Sequence, residues 1–263
     1  MKTLEIAMAG VGAALYGAIG YLSFAIFPVF APVVGIVRFW PVVFIPAVVA
    51  VLFGPLAGGT SAAIGIFFSD VFIHGDPFLS LTVGVPSNFV GFYLVGLISR
   101  RNLGWRKAVA GLSIGCVILV VTGYFLIDPD LVVDYFARLG HTITVSDVLQ
   151  GINLIVGVFV FSYVLVIAVG FLKPRWRSYG IASLIGLIVG SAIIGVGIWA
   201  YSQVFVLPPA FNKAFQLPYY AGLILFVWTF STEIPFMIFL GPPILEACYR
   251  AFPSLTQHSP TDK

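Results

Sequence analysis

Charge is what this sequence has least of. Only 9% of its 263 residues are Asp, Glu, Lys or Arg, whereas a soluble domain carries about 25% to keep its surface in water. With 60% hydrophobic residues and a mean hydropathy of +1.08, the chain has too few ions to cover a water-facing surface. Disorder, nucleic-acid binding and a cytosolic enzyme fold are excluded together. Thirteen Lys and Arg against ten Asp and Glu is too small an excess to hold a polyanion. Cysteine is nearly absent as well. Cys116 and Cys248 stand far apart without metal-ligand spacing, so they make no disulfide framework. The three histidines, His74, His141 and His258, fall outside any HExxH pattern, and neither a GxSxG nucleophile turn nor a Walker A loop occurs. The expectation is therefore no catalytic residue, no metal site and no ATP site in this chain, which points to binding or transport rather than to an enzyme.

What is abundant is long apolar runs. A membrane-spanning helix needs about 20 apolar residues, and eight candidates occur, at about 5–27, 38–54, 56–74, 79–98, 107–127, 148–172, 179–206 and 217–249. The expected fold is an all-α polytopic membrane protein, a bundle of about eight transmembrane segments in one domain over 1–252. Residues 253–263 read as a disordered cytoplasmic tail. The second candidate is short and carries Pro41 and Pro46, and only Gly54-Pro55 separates it from the third, so a single re-entrant unit over 38–74 would lower the number of spans to seven or six. Ten basic residues (Lys2, Arg100, Arg101, Arg106, Lys107, Lys173, Arg175, Arg177, Arg250, Lys263) fall on one side of this topology and three (Arg38, Arg138, Lys213) on the other. By the positive-inside rule both termini are cytoplasmic in a cell-membrane protein. The 128–147 loop reads as a connector rather than an interfacial helix.

Ionisable side chains inside a bilayer are costly, so each asks for a partner or a function. Arg38, beside Phe39 and Trp40, either snorkels to the headgroups or lines an outward pocket as an anion-recognising guanidinium. Asp70, followed by His74, pairs with Arg38 or caps its helix, a structural or gating role. Glu233 lies mid-span, where a carboxylate costs at least about 2.5 kcal/mol. It is compatible with proton coupling, with accepting a hydrogen bond from a solute, or with a structural bond to Asn88 or Asn153. Pro235 and Pro86 place helix distortions near Glu233 and Asn88, and broken helices with polar side chains at mid-depth are the makings of a buried solute site. Trp40 is an aromatic fit to stack on a flat solute or to sit in the interfacial belt.

The first span carries a small-residue face. Ala9 and Ala13 stand four apart, as do Ala14 and Ala18, a spacing that lets another helix approach closely. Arg38-Phe39-Trp40-Pro41 leads into Leu52-Phe53-Gly54-Pro55-Leu56-Ala57-Gly58-Gly59, Gly65 precedes Asp70, and Gly91-Phe92-Tyr93-Leu94-Val95-Gly96 follows. Over about residues 5–98 this pattern resembles the substrate-binding S components of energy-coupling-factor (ECF) transporters. The resemblance implies that Ala9/Ala13 or Ala14/Ala18 would dock on a transmembrane T component and that the loop near 28–40 would cap an outward solute pocket. It also implies that two partner ATPases would use the ATP. The chain departs from that family in its eight candidate spans, against the usual six. The expected function is capture of a vitamin or similar micronutrient, with Arg38, Trp40, Asn88, Asn153 and Glu233 at the site. A self-sufficient proton-coupled transporter using Glu233 and a non-transporting scaffold are the alternatives.

Overall fold

The computed structural model describes residues 1–26, 30–31, 35–36, 40–101, 103–211 and 213–258. The chain is an all-helical bundle, with α1 (Thr3–Ile26), α2 (Phe44–Phe53), α3 (Pro55–His74), α4 (Pro77–Leu79), α5 (Val85–Ser99), α6 (Trp105–Leu126), α7 (Pro129–Arg138), α8 (Val145–Leu172), α9 (Arg177–Ser202) and α10 (Tyr219–Ala251). Two two-residue strands, β1 (Phe30–Ala31) and β2 (Gly35–Ile36), pair antiparallel after α1. Among the described residues seven helices are long and apolar enough to cross a membrane.

Seven of the eight expected spans are thus present at full length, and the second is not. A 3-10 turn over Pro41–Val43 runs into α2, making an apolar helix over Pro41–Phe53. At 1.5 Å per residue it reaches about 20 Å, short of the roughly 30 Å hydrocarbon core. It does not merge with α3 into one re-entrant unit, because α3 is a complete span. Gly54, at φ +109°, makes the reversal between them, a backbone conformation that L side chains rarely adopt. The loop after α6 is also not a plain connector: Asp128 accepts a hydrogen bond from the Asp130 N–H and starts α7. The tail begins with a 3-10 turn over Pro253–His258 rather than without structure.

Successive crossings bring the basic residues together. Arg100, after α5, donates to the Val51 carbonyl (3.3 Å). Burial lowers its pKa, while the nearby Glu5 and Tyr249 hold its charge. Arg177 stacks on Trp105, and Arg175 pairs with Glu246 at 3.6 Å. The start of α1, the α2–α3 turn, the start of α6, the α8–α9 turn and the end of α10 therefore share one end of the bundle. Arg100, Arg101, Arg106, Lys107, Lys173, Arg175, Arg177 and Arg250 all lie in or beside these segments.

The helices meet through glycine. A Cβ on Gly186 of α9 would stand 2.6 Å from the Gly91 carbonyl and 2.5 Å from Val95 Cγ2 on α5. Gly195 of α9 lies against the Gly222 carbonyl of α10, and Gly17 of α1 against Gly65 of α3. Gly111 of α6, by contrast, has nothing within 4 Å of its would-be Cβ. Ala is the better helix former by about 1 kcal/mol, so Gly111→Ala will hold or raise the unfolding midpoint in detergent. Gly186→Ala will lower stability by about 1–3 kcal/mol through overpacking. Thermal or denaturant unfolding of the two variants side by side checks this.

Candidate functional site

A chamber opens at mid-depth between α1, α3, α5, α9 and α10, and its volume is about 80 Å³. Its polar wall comprises Tyr16, Ser87, Asn88, Ser191, Thr229 and Glu233, and its apolar wall includes Trp40, Phe92, Ile198 and Phe211. Tyr16, Asn88, Ser191 and Glu233 each sit near the middle of their helices, which puts polar atoms at the depth where lipid tolerates them least. That volume holds a few waters or a very compact solute, and a site for a drug-sized molecule is about 300–1,000 Å³. Taking up a vitamin-sized solute therefore requires the helices to part.

Glycine again does the positioning. Gly190 packs on the Ser87 carbonyl and Gly91 on the Gly186 carbonyl, bringing the Ser191 turn of α9 against the Asn88 turn of α5. Asn88 accepts from the Tyr16 hydroxyl (2.8 Å) and donates to the Gly84 carbonyl (3.0 Å). Ser191 is 1% exposed, and among the described residues its hydroxyl has no partner. A buried polar group in that state costs about 1–3 kcal/mol.

Of the two proline-linked distortions expected from the sequence, the one near Pro86 is present, and neither helix is broken. Ahead of Pro86, Ser80–Gly84 form a π-helical turn in which Val85 N–H reaches the Ser80 carbonyl, so α4, this turn and α5 run on as one helix over Pro77–Ser99. Such turns concentrate at functional sites. In α10, Pro235 has no N–H for the Ser231 carbonyl one turn back. Ser162 of α8 supplies the missing donor, its hydroxyl reaching that oxygen at 2.8 Å. The helix continues through Pro235, Pro242 and Pro243.

The expected site residues divide. Trp40, Asn88 and Glu233 line one chamber. Asn153 does not join them; it is exposed on α8 and accepts a hydrogen bond from Tyr124 of α6 (2.5 Å). It therefore ties a peripheral helix and is no chamber residue, nor is it the partner of Glu233. Arg38, and with it the proposed pairing to Asp70, lies outside the described residues, as does most of the 28–40 loop. Asp70 is 2% exposed and accepts from Ser80 (2.7 Å) while His74 Nε2 lies 3.7 Å away. His74 Nδ1 accepts the Asp76 N–H (3.3 Å), and its ring meets Phe211, which lines the chamber. Asp76, not Asp70, is the helix cap: it takes the N–H groups of Phe78 and Leu79 and also the Tyr201 hydroxyl (2.8 Å). Tyr16, Ser191, Thr229 and Phe211 escaped the sequence reading because a hydroxyl or ring in an apolar run looks like any other; only Ser191 left a trace, between Gly190 and the small residues around it.

The two alanine pairs also separate. Ala9 and Ala13 are buried, with Gly12 of the same face against Val49 and Ser61 and Ala13 against Gly65. Their face is spent inside the chain and is not free for a partner. Ala14 and Ala18 are exposed and line an apolar groove of about 680 Å³ between α1 and α3, with Phe68, Phe72 and Tyr21 as its walls.

Compared with known proteins, the chain matches no family model, no curated protein and no solved structure. Among the described residues no group of three or more His, Cys, Asp or Glu is placed to hold a metal.

The repair of α10 makes a sharp prediction. Ser162→Ala strands the Ser231 carbonyl and will cost about 1–2 kcal/mol. In a Pro235→Ala background, where the helix supplies its own N–H, the same change will cost under about 0.5 kcal/mol. Equilibrium unfolding of the four proteins in one detergent gives the coupling directly.

Proposed function

We propose that this protein is the membrane-embedded solute-binding subunit of an ECF-type uptake transporter for a vitamin or similar micronutrient, acting in the cell membrane with both termini cytoplasmic. The observation that carries the reading is the chamber itself: Asn88, Ser191, Thr229 and Glu233 gather around one space at the middle of a lipid-embedded bundle. Lipid gives no reason to keep such a set, and a solute does. The Gly54-Pro55 turn lies at the basic end, as a cytoplasmic turn should. The exposed Ala14/Ala18 groove suits close approach by a helix of a T component. Solute would enter from the end opposite the basic residues, and release would follow movement of the whole subunit driven by two partner ATPases.

A second reading is supported by one observation, that Glu233 lines the chamber. A carboxyl there is placed to take up and release a proton with the solute, as a self-sufficient secondary transporter requires.

Tandem affinity purification from the native host in mild detergent, with mass spectrometry of proteins and small molecules, separates the two. The ECF reading expects ATPase and T subunits to co-purify with the wild type and to be lost, at least tenfold, on Ala14→Trp or Ala18→Trp, whose bulk fills the groove. Ala9→Trp will instead unfold the protein. A retained small molecule will fall at least tenfold in Asn88→Ala. Purification without partners, together with uptake that collapses a pH gradient and is abolished by Glu233→Gln, supports the second reading in place of the first.

A further inference from the structure

We infer that the α5 wall of the chamber receives a hydrogen-bond-accepting group of the solute on the Asn88 N–H, and that Tyr16 holds in place the amide that the Gly84 carbonyl orients. The inference rests on the chamber being a solute site and goes on to name the chemical group that site takes.

An asparagine amide offers an oxygen on one side and two N–H donors on the other, and its neighbours decide which way it faces. Here the Gly84 carbonyl decides. Turned the other way, Asn88 would set its own oxygen against that carbonyl, acceptor against acceptor. With the nitrogen on Gly84 (3.0 Å), the oxygen faces α1 and accepts the Tyr16 hydroxyl (2.8 Å). The acceptor of Asn88 is thereby engaged. Among the described residues its second N–H has only Ser87 Oγ at 3.5 Å, the outer edge of bonding range, and the Ser87 proton itself goes to Gly84.

The facing wall brings a hydroxyl that can serve the same group. Ser191, from α9, is buried and brings a hydroxyl with no partner among the described residues. A carbonyl oxygen or an aromatic ring nitrogen entering at the α5 wall gives the Asn88 N–H a partner and can take the Ser191 proton as well. A donating group meets the engaged oxygen of Asn88 there and finds its acceptor at Glu233 instead. A site built around such pairing discriminates strongly against analogues that cannot complete it.

Tyr16 is suited to hold the amide still. Among the described residues it is the one α1 side chain lining the chamber. It is 1% exposed, it lies over Gly65 where a larger residue would strike its ring, and it stands edge-on to Trp40 and Phe92. It is a positioning residue, acting on the solute through Asn88.

The test uses the full chain in lipid nanodiscs with ¹⁵N-asparagine. The sequence has four asparagines, Asn88, Asn102, Asn153 and Asn212, so four side-chain NH₂ pairs appear, and Asn88→Asp assigns the one in the chamber. Two probes small enough to enter are titrated: dimethyl sulfoxide, which accepts but cannot donate, and methylammonium, which donates but cannot accept. Both are titrated in the wild type and in Glu233→Gln, which removes the carboxylate that would hold methylammonium. The expected result is a saturable shift of the Asn88 pair with dimethyl sulfoxide in both proteins, none with methylammonium in Glu233→Gln, and Asn153 unmoved by either probe. Tyr16→Phe, which keeps the ring and removes the hydroxyl, will move and broaden the Asn88 pair before any probe is added and weaken the dimethyl sulfoxide midpoint at least tenfold. Ser191→Ala will weaken the midpoint several-fold and leave the unliganded Asn88 signal in place. The inference is overturned by an equal response to methylammonium in Glu233→Gln, by no saturable shift with dimethyl sulfoxide, or by a Tyr16→Phe spectrum identical to wild type at Asn88. A retained native solute with no acceptor group would also overturn it and leave the transport reading standing. Purification without partners would remove the transport reading and leave the measured polarity untouched.

Discussion

Everything in this bundle depends on how closely its helices can approach. In lipid no hydrophobic force drives one apolar helix onto another, so association rests on van der Waals contact and on hydrogen bonds between helices. Glycine supplies the contact. Where Gly91 meets Gly186, Gly17 meets Gly65 and Gly195 meets Gly222, backbone approaches backbone with no side chain between. The chamber is a product of the same contacts, since α5 and α9 are near enough for Asn88 and Ser191 to share one space only because Gly190 and Gly91 lie between them. Stability and site are therefore not separable here: widening the α5–α9 crossing would disperse the polar wall as well as loosen the fold.

The hydrogen bonds of the interior answer specific deficits. The Pro235 deficit at Ser231 is met by Ser162, and the oxygen of Asn88 is met by Tyr16. Asp76 uses one carboxylate oxygen to cap α4 and the other to hold Tyr201. Each of these joins residues at least 69 positions apart, except the local cap. Among the described residues several buried hydroxyls, including those of Ser61, Tyr220 and Ser191, are left unanswered, and Ser191 lies on the chamber wall.

The long periodic features of the chain were legible before any coordinates. Length and hydropathy give seven of the spans, and the crowding of Lys and Arg predicts which turns share an end. Glu233 and Asn88 could be picked out because a carboxylate and an amide in an apolar run have no cheap place to go. The shortness of α2 was only half legible: Pro41 and Pro46 signalled irregularity, but apolar composition cannot tell a helix of about 20 Å from one that crosses. Asn153 misled because polarity marks a residue that needs a partner without saying which side of the helix the partner is on, and Tyr124 met that need at the periphery. The alanine pairs show the same limit. Spacing identifies a face that accepts a helix, and only the packing reveals that α3 already occupies the Ala9/Ala13 face while Ala14/Ala18 stays open. Tyr16 was invisible for a simpler reason, since nothing local separates a tyrosine that fixes an amide from one that fills a core.

The bond between Ser162 and the Ser231 carbonyl also bears on biogenesis. A ribosome delivers α8 to the membrane before α10, so the donor is already in place when the proline-bearing segment arrives with a carbonyl it cannot satisfy by itself. In the reverse order α10 would wait in hydrocarbon with that oxygen bare. The order of helices along the chain thus works as an assembly schedule, and a circular permutant that placed α10 ahead of α8 would keep every native contact while losing that sequence of events.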